Sequence, residues 1–235
     1  QQGYKTNFLY GGDINFTNMR SYLIATGWEH LMSMSDFPLG EQRTSQWGVR
    51  DDITVATVYR SISQADHNTH HLWGYSTLSS HEPWDVPVKK LDDEVENSFC
   101  YLDDCLFDFV SKLKATPQWN DLLIVITSDH GIVHGKIDHM TPLQMNHIPM
   151  LWVGGAVRQP VVIDCLCNQS DLAATLLGQL GIRHDDFRFS RDIASNSYRQ
   201  PMAYHNSTSC VSVYDTTCWM AYDIDANSMI ANESN

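Results

Sequence analysis

Short apolar runs recur along this chain at intervals that fit the strands of a parallel sheet. The strongest are 6–10, 71–79, 122–127 and 147–154, each rich in apolar or β-branched residues. Such runs are typical of strands that are covered on both faces. Two weaker runs, 29–32 and 161–163, predict shorter strands, the second of them at a sheet edge.

Between these runs, apolar residues recur at three- and four-residue steps, which is the period of a helix. The clearest helix ends before Pro117, and its apolar stripe consists of Leu91, Val95, Phe99, Leu102, Leu106, Val110 and Leu113. Further helices are predicted from Asn15 or Thr17 to 26, from Asp51 to about 65, and over 172–180 with Ser170 or Asp171 as the cap.

Strands that alternate with helices predict an α/β fold with a mostly parallel sheet sandwiched by helices. After residue 193 the pattern changes to short alternating segments at 202–204, 210–214 and 218–222, which predict a small antiparallel sheet. The last dozen residues are polar, and we expect them to be frayed. We therefore expect a domain over 1–193, with 194–235 as its C-terminal β extension and tail.

Composition narrows the class of protein. A net charge of −13 argues against nucleic-acid binding, which needs Lys and Arg to displace phosphate counterions. The chain begins at Gln1 without a Met, so we expect it to be a piece of a longer protein. Its six cysteines form no CxxC pattern, which argues against a structural zinc site, although Cys210 and Cys218 could face each other across a hairpin.

Residues that can carry chemistry follow two of the predicted strands. Asp129 and His130 come soon after the 122–127 strand, and His81 follows the 71–79 strand. Ligands of an open α/β sheet bind at the carboxyl ends of its strands, so these side chains could share one crevice. Carboxylate and imidazole together suit Mn²⁺, Mg²⁺ or Zn²⁺. Taken alone, however, an Asp-His pair fits an ordinary turn equally well, and a loop histidine is most often merely solvated.

The order of segments along the chain decides between these interpretations. Asp129, His130 and Gly131 resemble the Asp-His-Gly motif of the alkaline phosphatase and sulfatase superfamily, in particular its lipoteichoic acid synthase-like branch, often described simply as sulfatase. Further segments resemble that branch in the same order: 8–13, 15–19, 47–51, 78–83, 147–151 and 169–177. The resemblance covers nearly all of residues 4–193 and implies the C-terminal part of a catalytic domain with an alkaline phosphatase-like fold.

The resemblance also implies roles for individual residues. Asp129 and His130 match the pair that binds a divalent metal, Mn²⁺ or Zn²⁺, with Mg²⁺ and Ca²⁺ as alternatives. His81 matches the histidine that contacts the transferred phosphate or the substrate. A further histidine on the substrate side would be His134 or His139.

Two departures from the family pattern change what we expect of this chain. Thr17 and Met19 stand where lipoteichoic acid synthases carry a Trp and an Arg for the phosphate, and Arg20 is the nearby replacement. The family's nucleophile and an acidic metal ligand belong upstream of residue 6, and this sequence contains no counterpart of either. We therefore expect this chain by itself to bind metal weakly and to be catalytically inactive.

For the parent protein, the resemblance implies metal-dependent transfer or hydrolysis of a phosphoryl-type group through a covalent intermediate. The substrates would be lipids or glycans with phosphoglycerol or phosphoethanolamine headgroups, at the outer face of the membrane or in the periplasm. Transmembrane helices upstream would provide the anchor. Two alternatives stay open: part of a sulfatase that hydrolyses sulfate esters, and a non-catalytic binding domain.

Overall fold

The computed structural model describes residues 3–66, 68–135 and 142–234. Within these ranges the chain divides into two units. The first comprises the described residues of Gln1–Ile126 together with Met150–Arg158, and the second comprises those of Thr127–Pro149 and Gln159–Asn235. None of the helices in the described ranges combines the length and apolar character needed to cross a membrane.

The first unit is built on a parallel sheet of three strands, β1 (Lys5–Tyr10), β2 (His30–Met32) and β3 (His71–Ser76). Their order is β2-β1-β3, so the first strand lies in the middle. The three predicted strands are therefore confirmed. The prediction for the third was three residues too long, because the N–H groups of Leu78 and Ser79 bond to the Asp51 carboxylate rather than to a neighbouring strand.

Three α-helices pack with this sheet: α1 (Met19–Ala25), α2 (Asp51–Ser63) and α3 (Glu94–Lys114). Short 3₁₀ turns occupy Phe16–Asn18, Met34–Asp36 and Pro117–Asp121. Asn15 or Thr17 was predicted to cap the first helix, but the N-cap residue of α1 is Asn18. Asn15 precedes the first 3₁₀ turn, and its side chain donates to Asp13.

Helix α3 begins later than its apolar pattern predicts. The N–H groups of Lys90 and Leu91 donate to the Asn97 side chain, while Asp93 accepts from Glu96 N–H and caps the helix. The buried face also differs from the predicted stripe. Leu91 and Phe99 are exposed, and the buried apolar positions of this helix are Val95, Tyr101, Cys105, Phe109 and Leu113.

Tyr101 explains part of this difference in the buried face, because its hydroxyl joins α3 to the start of α2. The hydroxyl accepts from Asp52 N–H at 3.2 Å and donates to Asp52 Oδ1 at 2.8 Å. Although partial burial opposes the shift, hydrogen bonds from Arg50 and Tyr101 lower the pKa of Asp52. A polar contact thus lies within an otherwise apolar interface between α2 and α3.

Two further strands, β4 (Ile124–Thr127) and β5 (Met150–Val153), pair with each other, as the runs 122–127 and 147–154 predict. Gly154 follows β5 with φ +136°, and a Cβ there would come within 2.0 Å of the Leu122 carbonyl oxygen. The strand predicted over 161–163 is wrong. Its three side chains are exposed and its backbone has no regular structure, so β-branched residues alone do not make a strand without a partner.

The second unit contains the short helix α4 (Pro142–Met145), helix α5 (Asp171–Gln179) and an antiparallel sheet. Gly181 ends α5 with φ +67°. The sheet has the order β6-β7-β8-β9, from strands Met202–Asn206, Cys210–Asp215, Cys218–Asp223 and Ser228–Ser234.

The C-terminal sheet confirms one prediction and corrects two. Three of its strands were predicted, but the expectation of a frayed tail is wrong, because β9 pairs with β8 through Tyr222 and Met229, among other pairs. Cys210 lies opposite Asp223 rather than opposite Cys218. All six cysteines of the chain are free thiols in this structure.

Tyr101→Phe removes both hydrogen bonds to Asp52 while keeping the ring. We expect the free energy of unfolding to fall by about 1–2 kcal/mol at neutral pH in urea titrations. The pKa of Asp52 is lowered in the folded state, so its contribution is present above the unfolded pKa and is lost as the pH falls. The penalty should therefore shrink below about pH 4.

Tyr22→Phe is the matched control, because Tyr22 is 66% exposed. Its effect should stay within about 0.5 kcal/mol at either pH. Equal effects of the two substitutions would contradict the role given to Tyr101.

Candidate functional site

The segment that carries His81 is held by a buried carboxylate. Asp51, the first residue of α2, is 1% exposed. Its oxygens accept from Leu78 N–H at 3.1 Å, from Ser79 N–H at 2.8 Å and from the Tyr75 hydroxyl at 3.0 Å. Burial, and then the charge of Asp51, raise the pKa of Tyr75 well above its usual range, so its hydroxyl stays protonated and donates.

His81 follows this anchored segment at once. Its N–H donates to the Leu78 carbonyl at 3.1 Å, and its own carbonyl accepts from Trp84 N–H at 3.0 Å, so a turn begins here. The side chain is exposed, with ring Nδ1 2.8 Å from the Glu82 carbonyl oxygen. The indole of Trp47 lies edge-on to the imidazole, with ring centroids 4.9 Å apart. The turn after β3 therefore presents an exposed imidazole whose Nδ1 is bonded to the backbone and whose Nε2 is available to another group.

Arg20 lies in the first turn of α1, and its side chain is exposed. Thr17 and Asn18, just before this helix, both adopt the left-handed conformation with φ of 51° and 60°. Residues other than glycine rarely adopt this conformation, and such positions cluster at functional sites. The neighbouring Phe16 ring lies 5.9 Å from that of Trp47, so aromatic contacts link this turn to His81.

A further group of candidate residues follows β4 and belongs to the second unit. Asp129 and His130 are exposed, their side chains by 90% and 74%. His130 N–H donates to Asp129 Oδ1 at 3.0 Å, and His130 Nδ1 lies 2.8 Å from the Gly131 carbonyl oxygen. A carbonyl can only accept, so this contact places the proton on Nδ1 and leaves Nε2 as the lone-pair atom of the neutral ring.

The atoms left open by these contacts fit one cation. His130 Nε2 lies 3.8 Å from Asp129 Oδ2. Ligand atoms of one Zn²⁺ lie about 2.1 Å from the metal, and two of them are therefore about 3–4 Å apart. The pair thus fits as part of a metal site. In the described part of the chain, no group of three or more His, Cys, Asp or Glu side chains is arranged to hold a metal.

Two contacts to the backbone hold the turn that carries Asp129 and His130. The Gln169 side chain donates to the Ser128 carbonyl at 2.6 Å. Gly131 lies so close to the Met145 carbonyl that a Cβ would come within 2.2 Å of its oxygen. A residue with a Cβ would clash here, which explains why the third residue of the Asp-His-Gly motif is a glycine.

A second buried carboxylate, Asp171, stands next to Gln169. It is 1% exposed and accepts from Asn168 N–H at 2.9 Å, from Arg191 N–H at 2.8 Å and from the Arg191 guanidinium at 2.6 Å. This hydrogen bonding, opposed by burial, raises the pKa of Arg191. Ser170 is the N-cap residue of α5, as one of the two predicted alternatives has it, but its side chain makes no cap hydrogen bond. Asp171 is the first residue of the helix and binds the partners named above.

The predicted site residues thus fall into both units. His81 and Arg20 belong to the first unit, while Asp129, His130 and the partly buried His134 belong to the second. The structure brings Asp129 and His130 together. His139 lies outside the described residues. Asp51 was predicted as the first residue of a helix and as part of the 47–51 segment that resembles the family. Its role as the buried anchor of Leu78 and Ser79 was not predicted.

Comparison with known proteins supports the resemblance seen in the sequence. The family model described as Sulfatase matches residues 1–182, well over half of the chain. The chain belongs to the sulfatase family. This sulfatase-family chain has an alkaline phosphatase-like fold, as predicted. A crystal structure of an alkaline phosphatase superfamily protein from Vibrio parahaemolyticus superposes with a TM-score of 0.81 at 23% identity, over 100% of this chain and 61% of that one.

Curated relatives point to the predicted branch. Phosphoglycerol transferase I of Xanthomonas campestris pv. campestris is 22% identical over 211 residues, which are 83% of this chain and 30% of the relative. The lipoteichoic acid synthase-like protein YvgJ of Bacillus subtilis is 25% identical over 233 residues, 86% of this chain and 37% of that protein. The chain therefore spans about a third of the length of these two relatives.

Asp51→Asn keeps the shape of the anchor but removes its charge and turns one oxygen into a donor. We expect the free energy of unfolding to fall by about 2–3 kcal/mol, because hydrogen bonds to a buried charge are weakened or lost. Hydrogen exchange of the Leu78 and Ser79 amides should accelerate as well.

Asp92→Asn is the matched control, because the Asp92 side chain is fully exposed. It should leave both readouts unchanged. If the Leu78 and Ser79 amides of Asp51→Asn exchange as slowly as those of the unmodified chain, the carboxylate does not hold the segment that carries His81.

Proposed function

We propose that this chain is part of the catalytic domain of a metal-dependent enzyme that transfers a phosphoryl-type group, with phosphoglycerol as the favoured group. Membership of the sulfatase family and similarity to a phosphoglycerol transferase support this proposal. The observation that carries it is the Asp129–His130 pair, whose open atoms lie 3.8 Å apart at a strand end. Residues 194–235 would belong to the same domain.

In this proposal Asp129 and His130 hold one divalent cation, Mn²⁺ or Zn²⁺. When bound, that cation would lower the pKa of the nucleophile and stabilise charge on the transferred group. His130 contributes Nε2, because its Nδ1 is engaged with the Gly131 carbonyl. The rest of the ligand set and the nucleophile would come from residues outside this sequence.

His81 contacts the group that is transferred. Its Nδ1 is engaged with the Glu82 carbonyl, so Nε2 is the atom available to an oxygen of that group. In the protonated ring Nε2–H donates a charge-assisted hydrogen bond, which strengthens as negative charge develops. Arg20, and one of His134 and His139, would add contacts on the substrate side.

The same comparisons support a proposal for the substrate class. We infer that the substrates are lipid or glycan phosphate esters outside the cytoplasm, in the periplasm or at the outer face of the membrane. The parent protein would be anchored in that membrane. Hydrolysis of sulfate esters is the second candidate, favoured by the family's description. A non-catalytic binding domain is the third candidate function, because no counterpart of the family's nucleophile occurs in this sequence.

Calorimetric titration with Zn²⁺ and with Mn²⁺ tests the metal pair. We expect weak binding by this chain, and Asp129→Ala should weaken it further by about tenfold or more, because a direct ligand is lost. Asp92→Ala, at a fully exposed carboxylate, is the matched control and should bind as the unmodified chain does. Equal affinities for the two variants would contradict the assignment.

Assays with chromogenic esters test the reaction. We expect the 235-residue chain to turn over neither bis(p-nitrophenyl) phosphate nor p-nitrophenyl sulfate, because it lacks the nucleophile. A protein extended upstream should act on the phosphodiester. Turnover by the chain itself would overturn the placement of the nucleophile, and activity of the longer protein on the sulfate ester alone would favour the sulfatase.

A further inference from the structure

The backbone carbonyl of Glu82 joins Trp47 to His81. Its oxygen accepts from the Trp47 indole Nε1–H at 2.5 Å and lies 2.8 Å from His81 Nδ1. A carbonyl oxygen has two lone pairs, so it can accept from both rings at once, and it can never donate. The contact with His81 is therefore a hydrogen bond only when Nδ1 carries the proton.

This arrangement selects one tautomer of His81. With the proton on Nδ1, the neutral ring presents a lone pair at Nε2, and the protonated ring presents Nε2–H. Rotation or rearrangement of the Glu82 carbonyl would remove that selection. The indole hydrogen bond opposes such a change, because it ties the carbonyl to a second side chain.

The indole also restrains the imidazole directly. The two rings meet edge to face at 75°, with centroids 4.9 Å apart. Such aromatic pairs stabilise a structure by more than the burial of their surface area alone would give. The rest of the His81 side chain is exposed. The ring is therefore oriented by its contact with Trp47 and by the hydrogen bond to the Glu82 carbonyl.

Trp47 itself stands on a fixed loop. Gln46 N–H donates to Asp85 at 3.1 Å, and Val49 N–H donates to the Gly11 carbonyl at 2.9 Å. Gly48 has φ +147° and approaches Gly11 so closely that a Cβ would come within 2.2 Å of its carbonyl oxygen. Both sides of Trp47 are thus tied to the body of the first unit.

We propose that Trp47 is a positioning residue, which holds His81 in the Nδ1–H tautomer with Nε2 directed away from the Glu82 carbonyl. The importance of this for catalysis rests on the proposed function, in which Nε2 meets the transferred group. The positioning itself does not depend on that function, because it concerns only the contacts among Trp47, Glu82 and His81.

Long-range ¹H–¹⁵N NMR of the imidazole nitrogens in the full 235-residue chain tests the proposal. At a pH where His81 is neutral, we expect the Nδ1–H pattern in the unmodified chain. In Trp47→Phe, which keeps an aromatic ring but loses the donor, that pattern should give way to a mixture with the Nε2–H form. Trp47→Leu, which also loses the ring contact, should shift the mixture further.

Trp28→Phe is the matched control, because the Trp28 indole packs against Phe8 instead. It should leave the His81 signals unchanged, and backbone amide spectra of each variant verify folding. Retention of the Nδ1–H form in folded Trp47→Phe and Trp47→Leu would overturn the proposal. The readout needs no substrate, so failure of the longer protein to transfer a phosphoryl group would refute the proposed function and leave the positioning intact.

Discussion

The burial of the Asp51 carboxylate is the constraint on which the first unit depends. A carboxylate that is 1% exposed must be surrounded by donors, because an uncompensated buried charge is very costly. Its donors come from the chain just beyond β3 and from Tyr75 within it. The helix α2, the strand β3 and the turn that carries His81 are therefore fixed by one side chain.

The second unit uses the same device. Asp171 is also the first residue of a helix and is also 1% exposed, but it recruits a guanidinium as well as N–H groups. Through the adjoining Gln169 this region bonds to Ser128, the residue before Asp129. In both units, then, a buried acid at the start of a helix accepts hydrogen bonds from backbone N–H groups of another segment. Such positions also suit the helix dipole, which favours negative charge there.

Much of the fold follows from patterns that act over short distances. The apolar runs predict the parallel strands, and the Asp-His-Gly motif marks the end of β4, where Asp129 and His130 lie together. Two of the errors have a common cause, since both depend on strand pairing. The 161–163 run lacks a partner strand, while the polar tail gains one in β8. The tautomer of His81 depends on Trp47, 34 residues earlier, which no local pattern encodes.

The central claim is that Asp129 and His130 together bind a divalent metal, and X-ray absorption spectroscopy of the chain loaded with Zn²⁺ tests it most directly. We expect a first shell of nitrogen and oxygen atoms with the outer-shell signature of a single imidazole, and loss of that signature in His130→Ala. Sulfur in the first shell, from any of the six free thiols, or an imidazole signature that persists in His130→Ala, would contradict it.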